Sequence, residues 1–201
     1  MTADKGTLCR DLHALGAVKF GHFTLKSGAT SPVYIDLRLL VSAPALLASI
    51  ARAYAGILEG LAYDRLAAIP YAALPIGTAV SLATGRPLVY PRKEVKEHGT
   101  RQSIEGLFRS GETVVVIDDL ISSGESKLEA IAPLEAAGLV VRDVVVLIDR
   151  LGGGSRVLQD RGYRLHSVLT LAEVADILAS GGQLTREQTA EVRTYIGQGN
   201  W

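Results

Sequence analysis

The residues best suited to chemistry stand together at 114–126, in the order Val114-Val115-Val116-Ile117-Asp118-Asp119-Leu120-Ile121-Ser122-Ser123-Gly124-Glu125-Ser126. The opening run of β-branched residues reads as a buried strand of a parallel sheet. Two acids end it, a loop of hydroxyl residues and glycine follows, and Lys127-Leu128-Glu129-Ala130-Ile131 resumes with helical spacing. A strand that feeds such a loop and then a helix points backbone N–H groups and the positive end of the helix dipole at an anion. Two adjacent carboxylates at an apolar strand's tip cost desolvation and mutual repulsion unless something pairs them. Sugar hydroxyls or a Mg²⁺ ion suit them as partners. The segment therefore asks for a ligand carrying both a phosphate and a ribose. The plainer reading is a buried strand and an N-capped helix, with Asp118 and Asp119 merely at the strand end.

A second group comprises Arg92, Lys93, Lys96 and His98, four cationic or potentially cationic residues within seven positions, in a segment closed by Gly99. Positive side chains lower the barrier to pyrophosphate departure by stabilising the negative charge that develops as its bond to carbon breaks. A closing loop carrying them excludes water and then opens for release. His98 can hold a proton near neutral pH, which suits it to neutralise a leaving group. From composition alone the same stretch is a solvated charged loop.

Acid-acid-apolar-apolar-Ser-Ser-Gly-x-Ser after a hydrophobic strand resembles the phosphoribosyl pyrophosphate (PRPP) motif of the type I phosphoribosyltransferases. The Arg-Lys-Glu-x-Lys-acid-His-Gly segment is similar to the catalytic loop of orotate phosphoribosyltransferases, and the resemblance extends from Leu8 to about Ile196. It is nearest to the transferase portion of bifunctional UMP synthases. No Asp-x-Lys-x-x-Asp motif of the partner decarboxylase occurs, so only the transferase step is expected. The resemblance implies transfer of a 5-phosphoribosyl group from PRPP to orotate, with Mg²⁺ as cofactor, giving orotidine 5′-monophosphate and pyrophosphate in pyrimidine synthesis. It implies a homodimer whose catalytic loop reaches across the interface.

Carried over residue by residue, PRPP falls to Tyr71, Arg92, Lys93, Lys96, His98 and the run Asp118, Asp119, Leu120, Ile121, Ser122, Ser123, Gly124, Glu125 and Ser126. Orotate falls to Lys26, Tyr34, Ile35, Ser122 and Arg150. Lys96, His98, Asp118 and Asp119 are the catalytic candidates, and Asp118 and Asp119 would meet the metal directly or through water. Many bacterial relatives carry lysine where Ala72 stands, so Tyr71 is expected to contribute backbone. Leu151 replaces the acid common after the arginine corresponding to Arg150. His166 reads as structural. Two other readings are a phosphoribosyltransferase for another base and a non-catalytic PRPP-sensing regulator on the same fold. The cationic loop and the absence of an added basic domain speak against the second.

The elements that must position these residues alternate between strand and helix patterns, which argues for a parallel α/β sheet flanked by helices. Helical spacing runs over 4–20 through Leu8, Leu12, Leu15 and Val18. Extended pieces follow at 23–28 and 31–36, and Pro44 opens a helix reaching 61. Short strands are expected at 66–70 and 87–90, with a turn and helix at 71–83 between them. The clearest buried strands are 114–117 and 144–148, joined by a helix over 126–137 that Gly138 ends. The Gly152-Gly153-Gly154 run breaks the chain after the last strong strand, and helices are expected over 173–178 and 185–196. Residues 91–105 read as a mobile catalytic loop. The whole of 1–201 reads as a single domain, of which about 1–40 form a small hood over the sheet's carboxyl edge.

The 201 residues suffice for a substantial core. Lys+Arg and Asp+Glu both total 21, and this neutral balance gives no sign of nucleic acid as a partner. The single Cys9 rules out an internal disulfide and a cysteine-rich metal site. With no leader pattern and no apolar run long enough for a membrane, a cytoplasmic protein is expected.

Overall fold

The computed structural model describes residues 4–24, 28, 30–92 and 103–198. Helix α1 (Lys5–Ala14) starts on Asp4, whose carboxylate accepts from the Gly6 and Thr7 N–H groups. Leu8 and Leu12 are buried on one face, as their spacing predicts. The helix does not run to residue 20. Gly16 turns left-handed with φ 76°, and β1 (Val18–Thr24) begins two residues later. Val18 is buried in both readings, so helical spacing alone could not exclude it. β1 pairs antiparallel with β2 (Thr30–Ile35), from Val18 opposite Ile35 to Thr24 opposite Thr30. This hairpin is a sheet of its own. Its inward Val18 and Val33 nonetheless share a core with Leu8, Leu12, Leu37 and Ile50.

Helix α2 (Pro44–Leu58) opens on proline, whose missing N–H costs nothing at a first turn. Then come β3 (Arg65–Ala68), α3 (Ala73–Thr84), β4 (Leu88–Pro91), β5 (Ile104–Glu105) and β6 (Thr113–Ile121). The chain continues through α4 (Glu125–Ala136), β7 (Val140–Asp149), α5 (Gly154–Asp160), β8 (Arg164–Thr170), α6 (Leu171–Ser180) and α7 (Arg186–Gln198). The main sheet runs β5-β4-β3-β6-β7-β8, parallel except for β5. Val114, Val115, Val116 and Ile117 are fully buried, because both faces of β6 are covered. Val115 and Ile117 join the core formed with α1, α2, α3 and α6. Val114 and Val116 face Ile131 and Leu134 of α4 and Leu158 of α5. No helix among the described residues is long and apolar enough to cross a membrane.

Other elements also depart from the sequence expectation. β8 and α5 follow the glycine run that reads as the end of the strong pattern. β8 is an edge strand whose early residues are only half-buried, which dilutes its apolar signal. Within 91–105, Pro91 pairs with Ile104, Tyr90 pairs with Glu105, and the Arg92 N–H donates to the Ser103 carbonyl at 2.8 Å. A short ladder therefore ties the two ends of that segment together.

Candidate active site

In chain order, the parallel strands β3, β4, β6, β7 and β8 lie 2-1-3-4-5 across the sheet. Connections leave in opposite directions from β3 and β6, and a crevice opens beyond the carboxyl ends of such a pair. β6 is longer than the expected 114–117 and continues to Ile121. Its pairing with β3 stops at Ala68–Ile117, while pairing with β7 runs on to Ile121–Asp149. Asp118 and Asp119 therefore lie within the strand, at the point where one neighbour has ended.

Successive strand residues face opposite sides of a sheet, and the two acids differ accordingly. Asp118 is buried, 4% exposed. It forms an ion pair with Lys127 of α4, and its Oδ1 accepts from the Asp119 N–H at 2.9 Å. Burial pushes the Asp118 carboxyl up, to about 7, against the pull of Lys127 and with a further push from Asp119. Asp119 is half-buried and accepts from the Leu120 N–H at 2.8 Å. The buried Tyr54 hydroxyl donates to the Asp118 carbonyl at 2.7 Å, which pins this part of β6 to α2.

Beyond Leu120 and Ile121, Ser122 is half-buried while Ser123, Glu125 and Ser126 are exposed. Gly124 caps α4 with φ 86° and no side-chain hydrogen bond; its carbonyl accepts from the Lys127 N–H at 3.0 Å, and the Glu125 and Ser126 N–H groups precede it at a helix end that suits an anion. The loop rests on the glycine run after β7. The Gly154 N–H donates to the Ser122 carbonyl at 2.9 Å, and a Cβ on Gly124 would lie 3.2 Å from the Gly154 Cα. On the other side of the crevice, Tyr71 is 63% exposed between β3 and α3. Ile69, Pro70, Pro91, Arg92 and Ser126 line a cleft of about 370 Å³. Arg92 forms an ion pair with Glu105 across the ladder described above.

Arg150 follows directly on β7, and its N–H donates to the Ile121 carbonyl at 3.0 Å. Its half-buried guanidinium interacts with the Tyr195 hydroxyl of α7. Burial pulls the Arg150 pKa down and Tyr195 opposes this. Tyr34 and Ile35 end the hairpin. The Tyr34 ring is exposed and tilted against Phe23 at 5.6 Å, and Ile35 packs on the core. Lys26, Lys93, Lys96 and His98 lie outside the described residues. His166 is at the opposite end of the sheet, where its Nε2 is 2.8 Å from Asp143.

Sequence reasoning missed two residues here. Lys127 is buried in line with Ile131 and Leu134 on α4, and a lysine on an apolar stripe is the signal that could have found it. Tyr195 occupies the same kind of position below Val192 on α7, but nothing in the sequence ties it to Arg150.

This is the fold of the type I phosphoribosyltransferases. No family model matches the chain. It is 45% identical over 181 residues to the bifunctional enzyme PyrF/PyrE of Nostoc sp., covering 90% of this chain and 38% of that protein. Orotate phosphoribosyltransferase of Chlamydia caviae is 38% identical over 188 residues, covering 92% of this chain and 91% of that one. Among solved structures, Leishmania donovani UMP synthase superposes with a TM-score of 0.90 at 43% identity, over 98% of this chain and 43% of that one. Mycobacterium tuberculosis orotate phosphoribosyltransferase in complex with PRPP gives 0.70 at 28% identity, over 84% and 97%. The chain belongs to the orotate phosphoribosyltransferase family. It spans about two fifths of the bifunctional relatives and most of the single-function ones.

Proposed function

We propose that the chain transfers the 5-phosphoribosyl group of PRPP to orotate, giving orotidine 5′-monophosphate and pyrophosphate. The observation that carries the reading is the pair of acids on β6 followed by an uncapped α4, at the point where β3 and β6 diverge. The N–H groups and hydroxyls of Ser122 to Ser126 hold the 5-phosphate. The Asp118–Asp119 segment serves the ribose and favours the positive charge that develops at its C1. Lys26, Arg150 and Ser122 orient orotate, with Tyr34 and Ile35 flanking the base. Arg92, Lys93, Lys96 and His98, with the backbone at Tyr71, take the pyrophosphate. The C1–oxygen bond breaks with its electrons leaving on pyrophosphate, and the orotate ring nitrogen gives up its proton to the departing pyrophosphate or to water as it forms the new bond to C1. Positioning and charge supply the catalysis, so no covalent nucleophile is needed.

A Mg²⁺ ion fits this chemistry. Asp119 and Asp118 are hard oxygen donors, and the described residues hold no group of three or more His, Cys, Asp or Glu side chains placed for a metal. Such an ion would be held by these carboxylates, directly or through water, together with substrate oxygens. When bound, it offsets the charge of the pyrophosphate. A homodimer with a shared loop and a cytoplasmic location are proposed with this reading. Both are supported by the family resemblance, and the location also by Cys9, a buried free thiol that suits a reducing compartment.

The test is loss of orotate absorbance with purified protein, PRPP and Mg²⁺, with uracil and hypoxanthine as controls. PRPP-dependent loss of orotate alone is expected. Turnover of a control base, or PRPP binding without turnover of any base, would overturn the assignment.

A further inference from the structure

A lysine in the first turn of a helix stands at the positive end of its dipole, and burying it there adds a desolvation cost. Lys127 does both, at 6% exposure in the first turn of α4. Two contacts hold its ammonium. One is the ion pair with Asp118, and the other is the Ser126 hydroxyl at 3.3 Å. The cation thus bridges the first of the paired acids to the end of the phosphate-binding loop.

The same contacts make the two acids unequal. Asp118 is engaged through both oxygens, by Lys127 and by the Asp119 N–H. Asp119 points to the other side of β6, and among the described residues no cation pairs with it. A carboxylate held on both oxygens by the protein has fewer lone pairs left for a ligand and is less free to turn toward one. One held on a single oxygen keeps a free lone-pair set for a hydroxyl.

We propose that Lys127 is a positioning residue of the ribose site. By clasping Asp118 it fixes the end of β6 to the first turn of α4 and leaves Asp119 as the acid that meets the ribose hydroxyls. This rests on the reading of the crevice as a PRPP site. The pair acts as a unit, so removing either member loses the same thing.

A double-mutant cycle tests it. PRPP affinity in the presence of Mg²⁺, kcat/KM and the melting temperature are measured for the wild type, Lys127→Met, Asp118→Asn, Asp119→Asn and the combinations of Lys127→Met with each acid variant. Lys127→Met and Asp118→Asn should each lower kcat/KM on the order of 10²-fold. Together they should fall no more than about threefold below either alone, because coupled residues are not additive. Asp119→Asn should also combine with Lys127→Met to less than the product of the two losses, because the lysine acts through the site that Asp119 serves. Lys127→Arg, which keeps the charge, should recover most of the PRPP affinity even where Lys127→Met lowers the melting temperature. A merely structural lysine would give losses that track melting temperature and multiply with both acids, and that pattern overturns the proposal. Wild-type activity at Lys127→Met overturns it as well. An inactive wild type that still binds PRPP would sink the assigned reaction instead, and the cycle on PRPP affinity would then decide the role of Lys127.

Discussion

Asp143 shows how one side chain can carry stability away from the chemistry. It is 1% exposed at the amino end of β7, bonded to Arg164 at 2.9 and 2.8 Å and to His166 at 2.8 Å. Burial would raise its carboxyl, but the hydrogen bonds from Arg164 and His166 outweigh it and hold the group below 3.8. A depressed carboxylate contributes stability above its unfolded value and loses it as pH falls through the folded one. Asp143 should therefore support the fold fully at neutral pH, with the contribution fading below about pH 4. Asp143→Asn should cost about 2 kcal/mol in urea unfolding at pH 7, with the difference from wild type shrinking in acid. Its kcat should be unchanged, because the site lies at the other end of the sheet. A difference constant down to acid pH would show that the charge contributes nothing. At the site itself, Lys96→Ala should lower the rate on the order of 10²–10³-fold in the orotate assay if that lysine stabilises the leaving group.

At the level of elements, the loop from Ser122 to Ser126 is shaped by a neighbouring loop as well as by the turn at its own Gly124. Gly154 opens α5 against it, and a Cβ there would stand 2.6 Å from the Ser122 carbonyl oxygen and 2.7 Å from the Ile121 Cγ1. Gly154→Ala should destabilise the protein by about 1–3 kcal/mol through overpacking. It should also weaken PRPP binding more than orotate binding, since the displaced atoms belong to the phosphate side. Equal losses for the two substrates by calorimetric titration would count against that coupling. The C-terminal helix α7 reaches the opposite flank through Tyr195. Tyr195→Phe should raise KM for orotate by up to about 10-fold, with kcat nearly constant, if the hydroxyl holds Arg150 in place. An unchanged KM would leave α7 as packing alone.

For the molecule as a whole, the proposed homodimer makes a prediction that no single subunit can satisfy. A Lys96→Ala subunit and an Asp119→Asn subunit, each inactive alone, should regain about a quarter of wild-type turnover when unfolded and refolded together, since half the random dimers hold one intact composite site. Size-exclusion chromatography should show a dimer under the same conditions. No recovery on mixing, with dimers present, would mean that each subunit closes its own loop.

The motif at 114–126 by itself pointed to the ligand chemistry proposed above, because a buried strand, paired acids and a small-residue loop are local signals that survive without tertiary context. The helices anchored by Leu8, Pro44 and Thr185 were legible for the same reason, as were the two central strands. What the local pattern could not carry was anything set by a neighbour. β8 is an edge strand whose pairing partner, and not its own composition, makes it a strand. Val18 fits a helix stripe or a strand face equally well until Gly16 turns the chain. The inequality of Asp118 and Asp119 depends on a lysine that a helix brings back to the strand, and on β3 ending at Ala68. Tyr195 meets Arg150 from the far end of the chain. Residue type fixes which chemistry is available at each position, but only packing fixes which groups come close enough to use it.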